Sequence, residues 1–232
     1  GVRNVGLVLG SVLGSEVVVF VDDDQVITDP SFLARAVEGI GQRDGQGRTV
    51  LAKSGFYVND AGAYALAGET PWSDTFWRQR ELYNKAMTQA MKPPRIKPTA
   101  LAFGGCLTLH RDMYCNVSFD PWAVRGEDID YVINARMHGG DVFLDSEWSI
   151  IHRPPASPSQ AARFRDDVYR FVYTHRKLEF SKSQVDLRQA RHLIVARAAL
   201  HLLPDLDRLL HAGRADGMAE ADEPAARVDR DR

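Results

Sequence analysis

Hydrophobic and polar positions along the chain switch between a strand-like and a helix-like period, and each switch marks an element. Gly1 to Ser15 mixes Gly with Val and Leu and predicts a short helix packed by small residues. Val17 to Val21 is a continuous β-branched and aromatic run, the pattern of a strand buried on both faces, and it stops abruptly at Asp22, Asp23 and Asp24. Ser31 to Ile40 reads as a helix entered through Thr28-Asp29-Pro30, with Phe32, Leu33, Ala36, Val37 and Ile40 at helical spacing. A polar hairpin or loop, Gly41 to Arg48, leads into a strand around Val50 to Val58. Trp72 to Lys92 carries apolar residues at helical spacing and is closed by Pro93-Pro94. Leu101 to Leu109 is apolar around the pair Gly104-Gly105, and such a pair marks close approach by a ligand or another backbone. Asp128 to Met137 is a helix stopped by Gly139-Gly140, and Asp141 to Ile151 is a strand ending in His152-Arg153-Pro154-Pro155.

Beyond Pro158 only helical patterns remain. Ala161 to Phe180 and Val185 to Leu210 read as two amphipathic helices, and Gly213 to Arg232 as a polar, disordered tail. The pattern therefore predicts an α/β core over residues 1–158, with a mixed, Rossmann-like sheet flanked by helices. A helical C-terminal extension over 159–212 and a tail over 213–232 follow.

Composition narrows the partners. The 232 residues hold 29 Lys+Arg against 31 Asp+Glu, a net charge of −2, which argues against a protein that binds nucleic acid by neutralising phosphates. No apolar run approaches the ~18–20 residues of a transmembrane segment. Two cysteines, Cys106 and Cys115, suffice neither for a disulfide framework nor for a four-cysteine zinc site, so a cytoplasmic setting is expected. Gly1 is preceded by no Met and no basic leader, so a fragment or trimmed chain is also expected.

Three groups of residues suggest chemistry. Asp22, Asp23 and Asp24 repel one another at the end of a strand, and folding alone supplies no reason to place them there. Hard oxygen ligands suit Mg²⁺ or Mn²⁺, and ligands bind at the carboxyl ends of strands in open α/β sheets. The plain alternative is an acidic loop before the next helix. Glu127 and Asp128 stand at a helix N-terminus, where the macrodipole favours carboxylates. Their neighbours Phe119, Pro121, Trp122 and Val124 are apolar, and desolvation there would also make a general base. His152 follows a buried-looking strand and is able to complete a carboxylate metal site, with Arg153 beside it to pair with a phosphate. The other histidines, His110, His138, His175, His192, His201 and His211, read as structural, and Trp72, Trp77 and Trp122 as core residues or platforms for a sugar ring.

Together these segments resemble GT-A-fold glycosyltransferases, close to the family 2 pattern. VVVFVDDDQVITDPSFL resembles the metal strand with its Asp-x-Asp (DXD) motif, and AFGGCLTLHRDMY the Gly-Gly segment before the acceptor side. RGEDIDYVINARMHGG resembles the Glu-Asp motif, and Arg3-Asn4-Val5-Gly6 the Arg-Asn-x-Gly stretch before the metal strand. The likeness spans about Gly1 to Pro155. It implies that Asp22 and Asp24 hold Mn²⁺ or Mg²⁺ and the diphosphate of a nucleotide sugar, with Asp23 at the variable position of that cofactor-binding group. It further implies Asp128 as base of an inverting transfer to a hydroxyl acceptor, Glu127 as a contact to sugar hydroxyls, and Gly104 and Gly105 as the approach to the donor sugar. His152 matches a late metal or diphosphate ligand best known in retaining members, so both stereochemical courses stay open. The family begins with a nucleotide-binding region that has no counterpart here, and a second chain is one expected source of it. A sugar nucleotidyltransferase and a non-catalytic remnant serving as a binding or interaction module are the alternative readings.

Overall fold

The computed structural model describes residues 1–68, 72, 74–123, 125–155 and 159–180. The second C-terminal helix expected over 185–210, the tail over 213–232, Val124, and His192, His201 and His211 lie outside them, as does the side chain of Trp77.

Helix α1 (Val2–Val12) leads into strand β1 (Val17–Phe20), whose carboxyl end carries the three aspartates. A two-residue strand, β2 (Gln25–Val26), and helix α2 (Phe32–Val37) follow, then β3 (Ala52–Val58). The helix expected over 72–92 is two: α3 (Asp74–Trp77) and α4 (Gln79–Ala90), broken at Arg78, whose φ of 48° is left-handed. Next come β4 (Ile96–Pro98), β5 (Leu107–His110), α5 (Arg111–Tyr114), α6 (Glu127–Met137) and β6 (Val142–His152). Helix α7 (Gln160–Phe180) is the first of the two C-terminal helices read from the pattern.

The architecture is α/β, a mixed open sheet flanked by helices. Its order is β1-β5-β3-β6-β2, with β4 also paired to β6, and only β3 and β6 run parallel. A bulge between Ser54 and Phe56 lets β3 follow the long β6 at both ends. Leu107, Leu109, Tyr131 and Val132 anchor one hydrophobic cluster, and Phe32, Phe56, Met87 and Trp148 another. The apolar run at 17–21 does not make a strand buried on both faces. All four residues of β1 are only half-buried, because β1 is the edge of the sheet among the described residues. An apolar run reports that a strand seeks burial and cannot report which neighbours are present to supply it. No helix among the described residues is long and apolar enough to cross a membrane.

Candidate active site

Segments far apart in sequence converge at the carboxyl ends of β1 and β6. Strand β2 pairs with the end of β6 so that Gln25 lies opposite His152, and this carries Asp24 to the imidazole. His152 Nε2 lies 3.2 Å from Asp24 Oδ2. Asp24 Oδ1 is buried and has no hydrogen-bond partner among the described residues. The His152 ring lies against Tyr57 with centroids 4.4 Å apart, and the Tyr57 hydroxyl accepts the N–H of Gly105 at 2.9 Å.

Arg3, from the first turn of α1, ties the acidic segments together. Its Nη2 donates to Asp22 Oδ1 and Oδ2 at 2.9 and 3.1 Å, its Nε to Glu127 Oε1 at 3.2 Å, and its Nη1 to the Gly104 carbonyl at 2.5 Å. Burial alone would lower the pKa of this guanidinium, but the adjacent Asp22 and Glu127 carboxylates raise it, so Arg3 stays charged. The glycine pair is explained by this packing. A Cβ on Gly104 would lie 2.7 Å from Arg3 Nη2, and one on Gly105 would lie 2.6 Å from Asp22 Cγ. Gly104 therefore makes room for Arg3, and Gly105 for the Gln25 amide and the Asp22 carboxylate.

Helix α6 begins at Gly126, held at φ 76° with no side-chain cap. Asp128 Oδ1 accepts the N–H of Ile129 at 2.7 Å, and Oδ2 faces the N–H of Gly104 at 3.4 Å. Desolvation, with the Glu127 charge beside it, pushes the half-buried Asp128 up to about 6. A proton affinity near neutrality suits a carboxylate that accepts a proton during a reaction. Arg170 of α7 packs on the same turn, its Cδ 2.6 Å from where a Gly126 Cβ would stand, and its charge draws Asp128 downward.

The expected residues divide clearly. Asp22, Asp24, Gly104, Gly105, Glu127, Asp128 and His152 come together, with Asp22 turned to Arg3. Asp23 is exposed. Arg153 pairs instead with the exposed Asp60, Nη2 to Oδ1 at 2.6 Å. Asp130, also in the first turn of α6, is buried against Lys177 of α7 at 2.5 Å and Asn134 at 3.1 Å. Trp122 is 83% exposed, and Trp72, itself 51% exposed, has its ring centroid 5.0 Å from that of Phe164. Sequence reasoning missed the linking role of Arg3 and the placement of Tyr57, since nothing local in their segments signals a partner a hundred residues away.

Among the described residues no group of three or more His, Cys, Asp or Glu side chains is close enough to hold a metal on its own. The Asp24–His152 pair, with its orphaned carboxylate oxygen, does fit an ion whose other ligands come from a substrate. No family model matches the chain, and no curated protein matches it.

Proposed function

We propose that this chain is the catalytic portion of a GT-A-like glycosyltransferase, moving a sugar from a nucleotide diphosphate sugar to a hydroxyl acceptor. One observation carries the reading: Asp24 meets His152, while its near neighbour Asp22 is joined through Arg3 to Glu127 and to Gly104, whose N–H faces Asp128, so segments distant in sequence gather at one place. Asp24 and His152 would hold Mn²⁺ or Mg²⁺, which when bound offsets charge on a departing diphosphate. Asp128 takes the acceptor's proton, and Arg3 holds Asp22 and Glu127 in place around the donor. With its carboxylate on Arg3, Asp22 goes to the donor rather than to the ion.

The nucleotide-binding portion is proposed to pack on the β1 edge. That edge has no further strand among the described residues, and Val2, Val5, Val8, Leu9 and Val12 of the neighbouring α1 are 55–89% exposed.

The test is calorimetric titration of Mn²⁺ into the wild type and Asp24→Ala. The wild type binds and the variant binds at least tenfold more weakly, with the wild-type melting temperature rising as the ion is added. Equal affinity in both proteins would overturn the metal assignment. Release of free sugar from a nucleotide sugar, dependent on Mn²⁺ and lost in Asp128→Asn, would carry the assignment through to transfer chemistry.

A further inference from the structure

At the end of β6 opposite His152, the starts of β3 and β6 meet β4 and the last turns of α4 and α6. They line a half-open cavity of about 390 Å³, within the range of small-molecule sites. Three cations, Arg48, Lys97 and Arg136, line it together with a single carboxylate, Asp141. The charges there are incompletely matched. The Arg136 side chain is 11% exposed, and its Nη2 donates to the Thr99 carbonyl at 2.9 Å. Its Nε is buried without a hydrogen-bond partner among the described residues, and Asp141 Oδ1 stands 3.7 Å away. Arg48 Nη1 is also 3.7 Å from Asp141, while Arg48 Nε and Nη2 both donate to Asp44. Lys97 Nζ donates to the backbone carbonyl of Lys92 and meets no carboxylate among the described residues. One carboxylate is thus shared by two guanidiniums at ion-pair range but beyond hydrogen-bond reach.

The C-terminal dipoles of α4 and α6 favour cations nearby, which accounts for part of the charge. They do not account for an open cavity between the cations, nor for an idle buried donor. Burial draws down the proton affinity of both Arg136 and Lys97, the signature of cations short of compensating charge.

We infer that this cavity is a second binding site, for a small organic anion. Its carboxylate or phosphate head sits among Arg48, Lys97 and Arg136, and its body lies on the apolar wall that includes Ala86 and Leu101. Asp141 competes with the ligand for the guanidiniums. The site is independent of the metal and donor reading, since it occupies the other end of the sheet.

Three probes test it by calorimetry on the full chain: inorganic phosphate, phenyl phosphate and benzoate. At least one of the two aromatic anions binds saturably and more tightly than inorganic phosphate, and the order of the two identifies the preferred head. Lys97→Gln and Arg136→Gln each weaken that binding about tenfold or more, the usual effect of losing a hydrogen bond to a charged group. Asp141→Asn strengthens it by removing the competitor, a sign that a merely structural role would not produce. Asp24→Ala leaves it unchanged, which separates this site from the one at His152. Circular dichroism verifies the fold of each variant, and the partly exposed Lys97 keeps the test intact if Arg136→Gln does not fold. The inference is overturned if none of the probes binds the folded wild type saturably. It is equally overturned if Lys97→Gln does not weaken binding and Asp141→Asn does not strengthen it.

Discussion

Two clusters of charge sit on the same six-stranded sheet, one around Lys53 and Asp145 in its interior and the other around Asp24 and Asp128 at its carboxyl edge. Lys53 and Asp145 have fully buried side chains 3.2 Å apart. Every strong group of this pair is engaged. Lys53 Nζ also donates to the carbonyls of Arg35 and Glu38, at 2.5 and 2.7 Å, and Arg95 binds both oxygens of Asp145 at 2.8 and 3.0 Å. Burial would raise the Asp145 carboxyl, but the Arg95 hydrogen bonds, the Glu147 N–H and the Lys53 charge hold it below its ordinary value. At the edge the balance is reversed. Asp128 is pushed up by desolvation and by Glu127, and Asp24 keeps an oxygen with no hydrogen-bond partner among the described residues. The Lys53–Asp145 pair is thus saturated from within the chain, whereas Asp24 and Asp128 retain capacity for something from outside.

The contrast breaks most severely in the interior. Asp145→Ala leaves Lys53 buried without its counter-charge and should cost about 3–5 kcal/mol in urea unfolding. A loss under about 1 kcal/mol would mean that the two backbone carbonyls suffice for Lys53. Asp128→Asn should leave the fold intact and, if the transferase reading holds, lower turnover about 10²–10⁴-fold with donor affinity nearly unchanged. Retained turnover would remove Asp128 as the base.

The two carboxyls also predict opposite pH slopes. Asp128 has a folded value raised to about 6, so the folded state holds more protons than the unfolded chain between about 4 and 6. Stability from this group therefore falls as pH rises through that window. The ceiling is about 3 kcal/mol, reduced by solvent access at the half-buried side chain. Asp145 has a lowered value, so its contribution is present above about pH 4 and is lost as pH falls through the folded value. Unfolding free energies measured between pH 3 and 7 should show Asp128→Asn removing the decline between pH 4 and 6. A decline that persists in the variant would assign the slope to another group. The smallest effect belongs to Arg153→Ala: its pair with Asp60 lies in solvent, and the melting temperature should not move. A clear drop there would show that the end of β6 depends on Arg153 after all.

Much of the frame was legible along the chain. The apolar run of β1, the glycine stop after α6 and the helical spacing of α7 each act within a few residues, so their signals are local. The break at Arg78 was not legible, because nothing in Phe76 to Leu82 interrupts the helical spacing. Two short strands, β2 and β4, were missed as well. Both owe their conformation to pairing with β6 and carry too few residues for a pattern of their own.

The sequence by itself determined that carboxylates crowd the end of one strand and the start of one helix, and that a histidine closes another strand. Those statements concern neighbours along the chain, and short-range sterics and periodicity encode them. Only the tertiary structure decided that Asp24 meets His152, that Asp22 turns to Arg3, and that Asp130 belongs to Lys177. Strand register fixed the first of these and helix packing the third, while the link from Asp22 to Glu127 depends on the reach of a single guanidinium. Pairings of this kind follow from where distant segments settle against a common sheet, and no window of the sequence contains both partners.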